Sequence, residues 1–168
     1  TAFGSRVRSV SLSPNGKYLL ACYADNYSLK RSRTRCELTE LKTGRVIQPA
    51  ADEKMRWMPR SNKLYYTVTG RQRNDLVVFD PATMREEVLL KDVPEGYFAW
   101  SPAEDYLIYS PDDKGEAVGG PLKRLLHPDD RIPDARSRNY LVRYDPVTGL
   151  SERLTYGSHA VYLNDISS

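Results

Sequence analysis

The sequence predicts an all-β protein made of β-propeller blades: three four-stranded antiparallel units and the first strand of a fourth, an incomplete ring. Three observations carry this. An apolar residue, any residue and a proline close a strand-like run at Leu12-Ser13-Pro14, Trp57-Met58-Pro59 and Trp100-Ser101-Pro102. The spacing is regular, with Pro59 lying 45 positions after Pro14 and Pro102 lying 43 after Pro59. Each proline is followed by three more strand-like runs separated by turn residues. A period of roughly 20–50 residues made only of strands marks a repeat architecture, and four strands per unit marks a propeller.

Each unit can be justified in order. In the first, about residues 7–48, the strands are 7–12, 18–24, 36–41 and 45–48. In the second, about 54–90, they are 55–58, 63–69, 76–80 and 87–90. In the third, about 97–155, they are 97–101, 105–110, 140–145 and 151–155. A fourth unit starts at about 160–168, where Ile166-Ser167-Ser168 repeats the run without its proline. The second strand of each unit is rich in Tyr, Leu, Ile and Val, which suit a pleated, half-buried surface. Between strands one and two, Asn15-Gly16 is a hairpin signal because both residues tolerate positive φ, and Ser61-Asn62 and Glu104-Asp105 take its place in the later units. Between strands three and four lie Lys42-Thr43-Gly44, Pro81-Ala82-Thr83 and Pro146-Val147-Thr148-Gly149. Proline fixes the first turn residue and glycine supplies the left-handed one. The equivalent positions Leu12, Trp57, Trp100 and Ile166 are expected to be buried core.

Composition agrees. The 168 residues are 40% hydrophobic and 28% charged, as in a globular domain. Twelve tyrosines and eleven prolines suit a turn-rich β protein. No apolar run approaches the ~18–20 residues of a membrane-spanning helix. The net charge of +3 gives no case for nucleic acid. The chain opens at Thr1 with neither an initiator methionine nor a signal sequence, so a trimmed or longer parent polypeptide is expected. Because propellers close with about 4–8 blades, the missing partner is expected to be the remainder of its own propeller or a second chain.

The strings SPNGKYLL and AWSPAEDYLIYS and the turn DPVTG resemble the Ser-Pro-Asp-Gly-Lys repeat of TolB-like propellers and of the N-terminal propellers of dipeptidyl peptidase IV and prolyl oligopeptidase-type enzymes. The tail RLTYGSHAVYLNDISS is similar to the propellers of secreted bacterial peptidases of that group. The resemblance implies one of two functions. One is a non-catalytic propeller segment of an exported serine peptidase, gating or positioning a peptide substrate. The other is an envelope binding propeller with no enzyme attached. It implies a periplasmic or extracellular location.

The chain lacks a Gly-x-Ser-x-Gly elbow, a Gly-rich phosphate loop and a cysteine pair at zinc spacing. No cofactor or metal is expected, and a peptidase triad would lie elsewhere. The chain's strongest pattern is in its arginines. Taking Leu38, Leu76 and Leu141 as equivalent, Arg33, Arg71 and Arg136 stand five residues before them and Arg35, Arg73 and Arg138 stand three before. In a propeller these six should rim one face, where guanidinium forks suit carboxylates or phosphates of a peptide or an acidic protein partner. The alternative is an inherited structural arginine bridging to an acid of a neighbouring blade. Aromatic side chains are not interleaved with the run 30–35, which speaks against nucleic acid.

An insertion lies on the same face. Pro59 to Leu76 is 17 positions, whereas Pro102 to Leu141 is 39, so extra residues fall within 111–136. Loops of that length are usually functional or disordered. The insertion holds a stretch, 121–126, that could start a short helix, and then His127, Asp129 and Asp130. The resemblance implies that propeller insertions hold a substrate's amino end with acidic side chains; the alternative is a solvated acidic turn. Finally, Cys22 and Cys36 fall nearly opposite if strands two and three pair about residues 29–30. They are either a bridge of an exported protein or two small buried apolar residues.

Overall fold

A computed structural model describes residues 6–28, 31–47, 55–70, 74–94, 97–113, 138–156, 161, 163 and 166. They form strands and turns, arranged as three four-stranded antiparallel sheets. The first contains β1 (Arg6–Leu12), β2 (Tyr18–Ser28), β3 (Arg31–Glu40) and β4 (Val46–Ile47) in that order. The second contains β5 (Arg56–Trp57), β6 (Leu64–Thr69), β7 (Asn74–Asp80) and β8 (Arg85–Val93). The third is formed by β9 (Phe98–Trp100), β10 (Leu107–Tyr109), β13 (Val142–Tyr144) and β14 (Ser151–Arg153). A short pair, β11 (Asp112–Asp113) with β12 (Arg138–Asn139), continues the β10–β13 register into the insertion. Sheets one and two are meanders of sequence-neighbouring strands, and in the third β10 pairs β13 across the β11–β12 pair.

The turns explain the common register. Ser13 N–H bonds to the carbonyl of Tyr18, Met58 to that of Lys63 and Ser101 to that of Tyr106. These bonds make Leu12, Trp57 and Trp100 equivalent. At the other end, Glu40 and Asp145 accept at their carbonyls from Gly44 and Gly149 and donate at their N–H to Arg45 and Leu150. Both glycines are left-handed, at φ 69° and 71°. In the second sheet the same place is held by Met84 at φ 58°, where a Cβ is disfavoured. Likewise Gly16, at φ 68°, is matched in the third sheet by Glu104 at φ 62°. The turn counterpart of Asn15-Gly16 is therefore Ala103-Glu104, one residue earlier than the sequence reading placed it.

Residues 1–93 and 94–168 form two compact units. In the first unit, sheets one and two pack face to face. Tyr18, Leu20, Cys22, Cys36, Leu38 and Ile47 from one side of sheet one meet Leu64, Tyr66, Val77 and Phe79 of sheet two, with Met55 and Trp57 beside them. Tyr18 stacks on Trp57 at 6.5 Å between ring centroids. At the turns, Asn15 N–H donates to Asn62 Oδ1 at 3.0 Å, tying the two β-hairpins together. In the second unit Phe98, Trp100, Leu107, Val142 and Tyr144 are buried.

Burial differs among the four expected core positions. Trp100 is buried, and Trp57 and Ile166 are half-buried. Leu12 is not core: it is 56% exposed. Trp57 is covered because its side of sheet two lies on sheet one, whereas Leu12, at the matching place in sheet one, lies outside that shared core.

Cys22 and Cys36 are directly opposite on β2 and β3, 4.1 Å apart at Cα, and form a disulfide buried in the core between the two sheets. The bridge closes a loop across a sequence separation of 14. Replacing both cysteines by alanine should cost about 3 kcal/mol, the loop-entropy scale for that length, measured by denaturant unfolding. Met84→Gly and Glu104→Gly should each raise stability by about 0.5–1 kcal/mol, the left-handed penalty less glycine's own chain entropy. The midpoint should rise by roughly 2–3 °C, and Met84→Ala should give no such gain.

Candidate functional site

The β3–β4 turn bonds shift the frame in which the arginines are counted. Counting back from the β3–β4 turn bonds, Leu38 matches Val78 and Arg143, not Leu76 and Leu141. The equivalent arginines are then Arg33, Arg73 and Arg138 in one row and Arg31, Arg71 and Arg136 in the other. All six places are still arginine. Arg35, grouped with Arg73 and Arg138 from sequence, instead matches Asp75 and Tyr140. The leucines misled because they lie at different depths along their strands.

The strand ladders show what stands opposite two of these positions. Asp25 stands directly opposite Arg33 in the β2–β3 pair, and Asp113 stands directly opposite Arg138 in the β11–β12 pair. These two cross-strand Asp–Arg couples occupy the same place in sheets one and three. Arg71, Arg73, Arg136, His127, Asp129 and Asp130 lie outside the described residues.

Arg35 is the predicted arginine whose surroundings are described. Its Nη1 lies 2.8 Å from Glu37 Oε1, two residues along β3, and its guanidinium sits 5.5 Å from the Tyr23 ring centroid. The side chain is 42% exposed and that of Glu37 is 24% exposed, so solvent screens the pair. Two further arginines rest on tyrosines in the third sheet, a feature the sequence reading did not single out. Arg143 lies 4.7 Å over Tyr106. Arg153 lies between Tyr140 at 4.0 Å and Tyr156 at 5.2 Å, and its Nε donates to the Thr155 carbonyl at 2.9 Å. The abundance of tyrosine was the available signal; which strands would bring each ring under a guanidinium was not.

Two titrating groups are shifted. Asp145 Oδ1 accepts from the N–H groups of Val147 at 2.8 Å and Thr148 at 3.1 Å. These bonds, that of Thr148 foremost, hold its carboxyl below the ordinary 3.8. Burial and then the Glu86 carboxylate, which accepts from the phenol at 2.7 Å, raise the Tyr66 hydroxyl above its usual value of 10.0. Among the described residues no three His, Cys, Asp or Glu side chains gather into a metal site.

Comparisons with known proteins place this fold. No family model and no curated protein matches the sequence. Solved structures do. TolB from Acinetobacter baumannii matches with a TM-score of 0.52 at 16% identity, over 90% of this chain and 33% of that one. The acylaminoacyl peptidase of Pyrococcus horikoshii matches with 0.62 at 12% identity, over 90% and 25%. The β-propeller domain of the Trilobed protease from Pyrococcus furiosus matches with 0.52 at 13% identity, over 92% and 44%. The chain thus spans a quarter to under half of the length of these three structures.

Two outcomes are expected at these residues. A double-mutant cycle on Arg35→Gln and Glu37→Gln should return a coupling of no more than about 1 kcal/mol, because the pair is screened. For Asp145 the folded-state pKa is the lower one, so its contribution is fully present above the unfolded value and is lost as pH falls through the folded value. Asp145→Ala should therefore flatten the acid side of the stability–pH curve below about pH 4, read by thermal unfolding, and leave its slope at neutral pH unchanged. With three sheets of this register, turn pattern and structural likeness, the chain has the fold of TolB-like and prolyl oligopeptidase-type β-propellers.

Proposed function

We propose that this chain is the non-catalytic propeller part of an exported prolyl oligopeptidase-type serine peptidase, where it gates or positions a peptide substrate. The observation that carries the reading is the blade repeat with an insertion in the third unit, in a fold matched by two peptidase structures over nine-tenths of this chain. The buried disulfide supports an exported, periplasmic or extracellular setting. In this reading the segment 111–136, with His127, Asp129 and Asp130, is a substrate loop, and the arginine rows at the ends of the β2–β3 hairpins are a rim for an acidic partner or a peptide carboxylate. Blade boundaries near residues 7–48, 54–90 and 97–155 belong to the same proposal.

The TolB match favours a second reading, an envelope propeller that binds proteins and carries no enzyme. A fluorophosphonate probe applied to the complete product of the gene separates the two. The peptidase reading expects one labelled serine, lying outside residues 1–168, and hydrolysis of a proline-containing dipeptide anilide. Absence of both would leave the TolB-like reading. The arginine rim is tested by neutral substitutions at Arg71, Arg73, Arg136 and Arg138. A docking role expects weakened binding of acidic peptide with little change in melting temperature. Lost stability with unchanged binding would make these arginines structural.

A further inference from the structure

Among the described residues, Arg35, Arg143 and Arg153 lie over tyrosine rings, and the first two have an acid at hand. Arg35, over Tyr23, pairs with Glu37. Arg143, over Tyr106, stands directly opposite Glu152 in the β13–β14 ladder. Arg153 is half-buried and stands opposite Val142 in that ladder. Its Nε donates to the Thr155 carbonyl, and its guanidinium lies 4.0 Å from the Tyr140 ring and 5.2 Å from that of Tyr156. Among the described residues no carboxylate meets its two Nη nitrogens. The Thr155 hydroxyl also accepts from the N–H of Leu141 at 2.9 Å, so the chain leaving β14 is tied down where it carries Tyr156. The blade repeat does not call for this set. Counted from the turns between third and fourth strands, Tyr140 and Arg153 match Arg35 and Gln48 in the first unit and Asp75 and Val88 in the second.

We propose that Arg153, with Tyr140 and Tyr156, is a binding subsite for a peptide carboxylate that has an apolar side chain beside it. A guanidinium presents its N–H donors in a planar fork. With Nε engaged and a ring against its face, the edge formed by the two Nη nitrogens remains, and that edge matches the two oxygens of a carboxylate. Its single positive charge balances a carboxylate better than a phosphate, which carries about −1.5 to −2. Half-burial strengthens such a pair beyond an open surface one and makes an unpaired guanidinium costly. The stacking and the Nε bond fix the fork before binding, so little side-chain freedom is left to lose. Tyr156 sets the second requirement, because its ring is 80% exposed and offers apolar surface next to the fork. A chain's terminal carboxylate and an Asp or Glu side chain share this chemistry, and the test separates them. The inference rests on the peptide-binding role common to both readings above. It does not use the peptidase assignment, which the fluorophosphonate experiment tests separately.

The test is an NMR titration of the protein that follows the Arg153 Nε–H and Tyr156 ring signals. The probes are N-acetylphenylalanine, N-acetyl-aspartyl-phenylalaninamide, the neutral N-acetylphenylalaninamide and inorganic phosphate. The proposal expects one of the two acids to bind at least about 10-fold more tightly than the neutral amide, the scale of one charge-assisted hydrogen bond. Tighter binding of N-acetylphenylalanine assigns the carboxylate to a chain terminus, and tighter binding of the aspartyl probe assigns it to an acidic side chain. Arg153→Lys keeps the charge but loses the fork, and should weaken the acid at least about 5-fold. Tyr156→Ala should also weaken it and leave the melting temperature unchanged, since the ring is exposed. Arg143→Gln, on the other tyrosine of the sheet, should bind as the parent does. Equal binding of acid and amide would overturn the proposal. So would parent-like binding by Arg153→Lys, tighter binding of inorganic phosphate than of either acid, or no saturable shift with either acid.

Discussion

The first unit depends on one contact, the burial of one sheet's apolar side against the next. A short four-stranded sheet has little interior of its own. Leu20 and Leu38 reach 2% and 0% exposure because Leu64, Tyr66, Val77 and Phe79 cover them, and the reverse holds for sheet two. The hairpins supply register and the turns supply direction, but burial of this shared core supplies the driving force, at roughly 25 cal/mol per Å² of apolar surface. The Cys22–Cys36 bridge sits inside that core, so covalent closure of β2 on β3 and packing of the two sheets reinforce the same place.

This dependence separates what the sequence could tell from what it could not. Blade order and strand count were legible, and turn positions to within a residue, because proline, glycine and alternating apolar residues report on the local chain. Leu12 was misread for the converse reason. Its apolar character marks a face, but exposure depends on which neighbour covers that face, and no local pattern carries that. The strand-three register slipped by two in the first unit because leucine identity was used as the marker. The hydrogen bonds at Glu40 and Asp145 fix the true frame. The disulfide stayed open from sequence because it needed the pairing of Cys22 with Cys36, which a one-residue slip would have removed.

The site was legible in part. Counted in the sequence from the β3–β4 turns, the arginine repeat takes Arg31 in place of Arg35. Periodicity could not show that Asp25 and Asp113 stand opposite Arg33 and Arg138 in the strand ladders. The same holds for Arg153, whose two tyrosines come from positions 140 and 156. Chemistry that depends on partners from different strands is visible only once the strands are paired.

Native-state hydrogen exchange on Leu38→Ala tests most directly the claim that sheets one and two stand or fall together. Leu38 lies in sheet one, and its truncation should remove about 2–5 kcal/mol. If the shared core is the common support, amides of β6 and β7 in sheet two should lose as much protection as those of β2 and β3. Loss confined to β2 and β3, with β6 and β7 unchanged, would contradict the account and make each sheet independently stable.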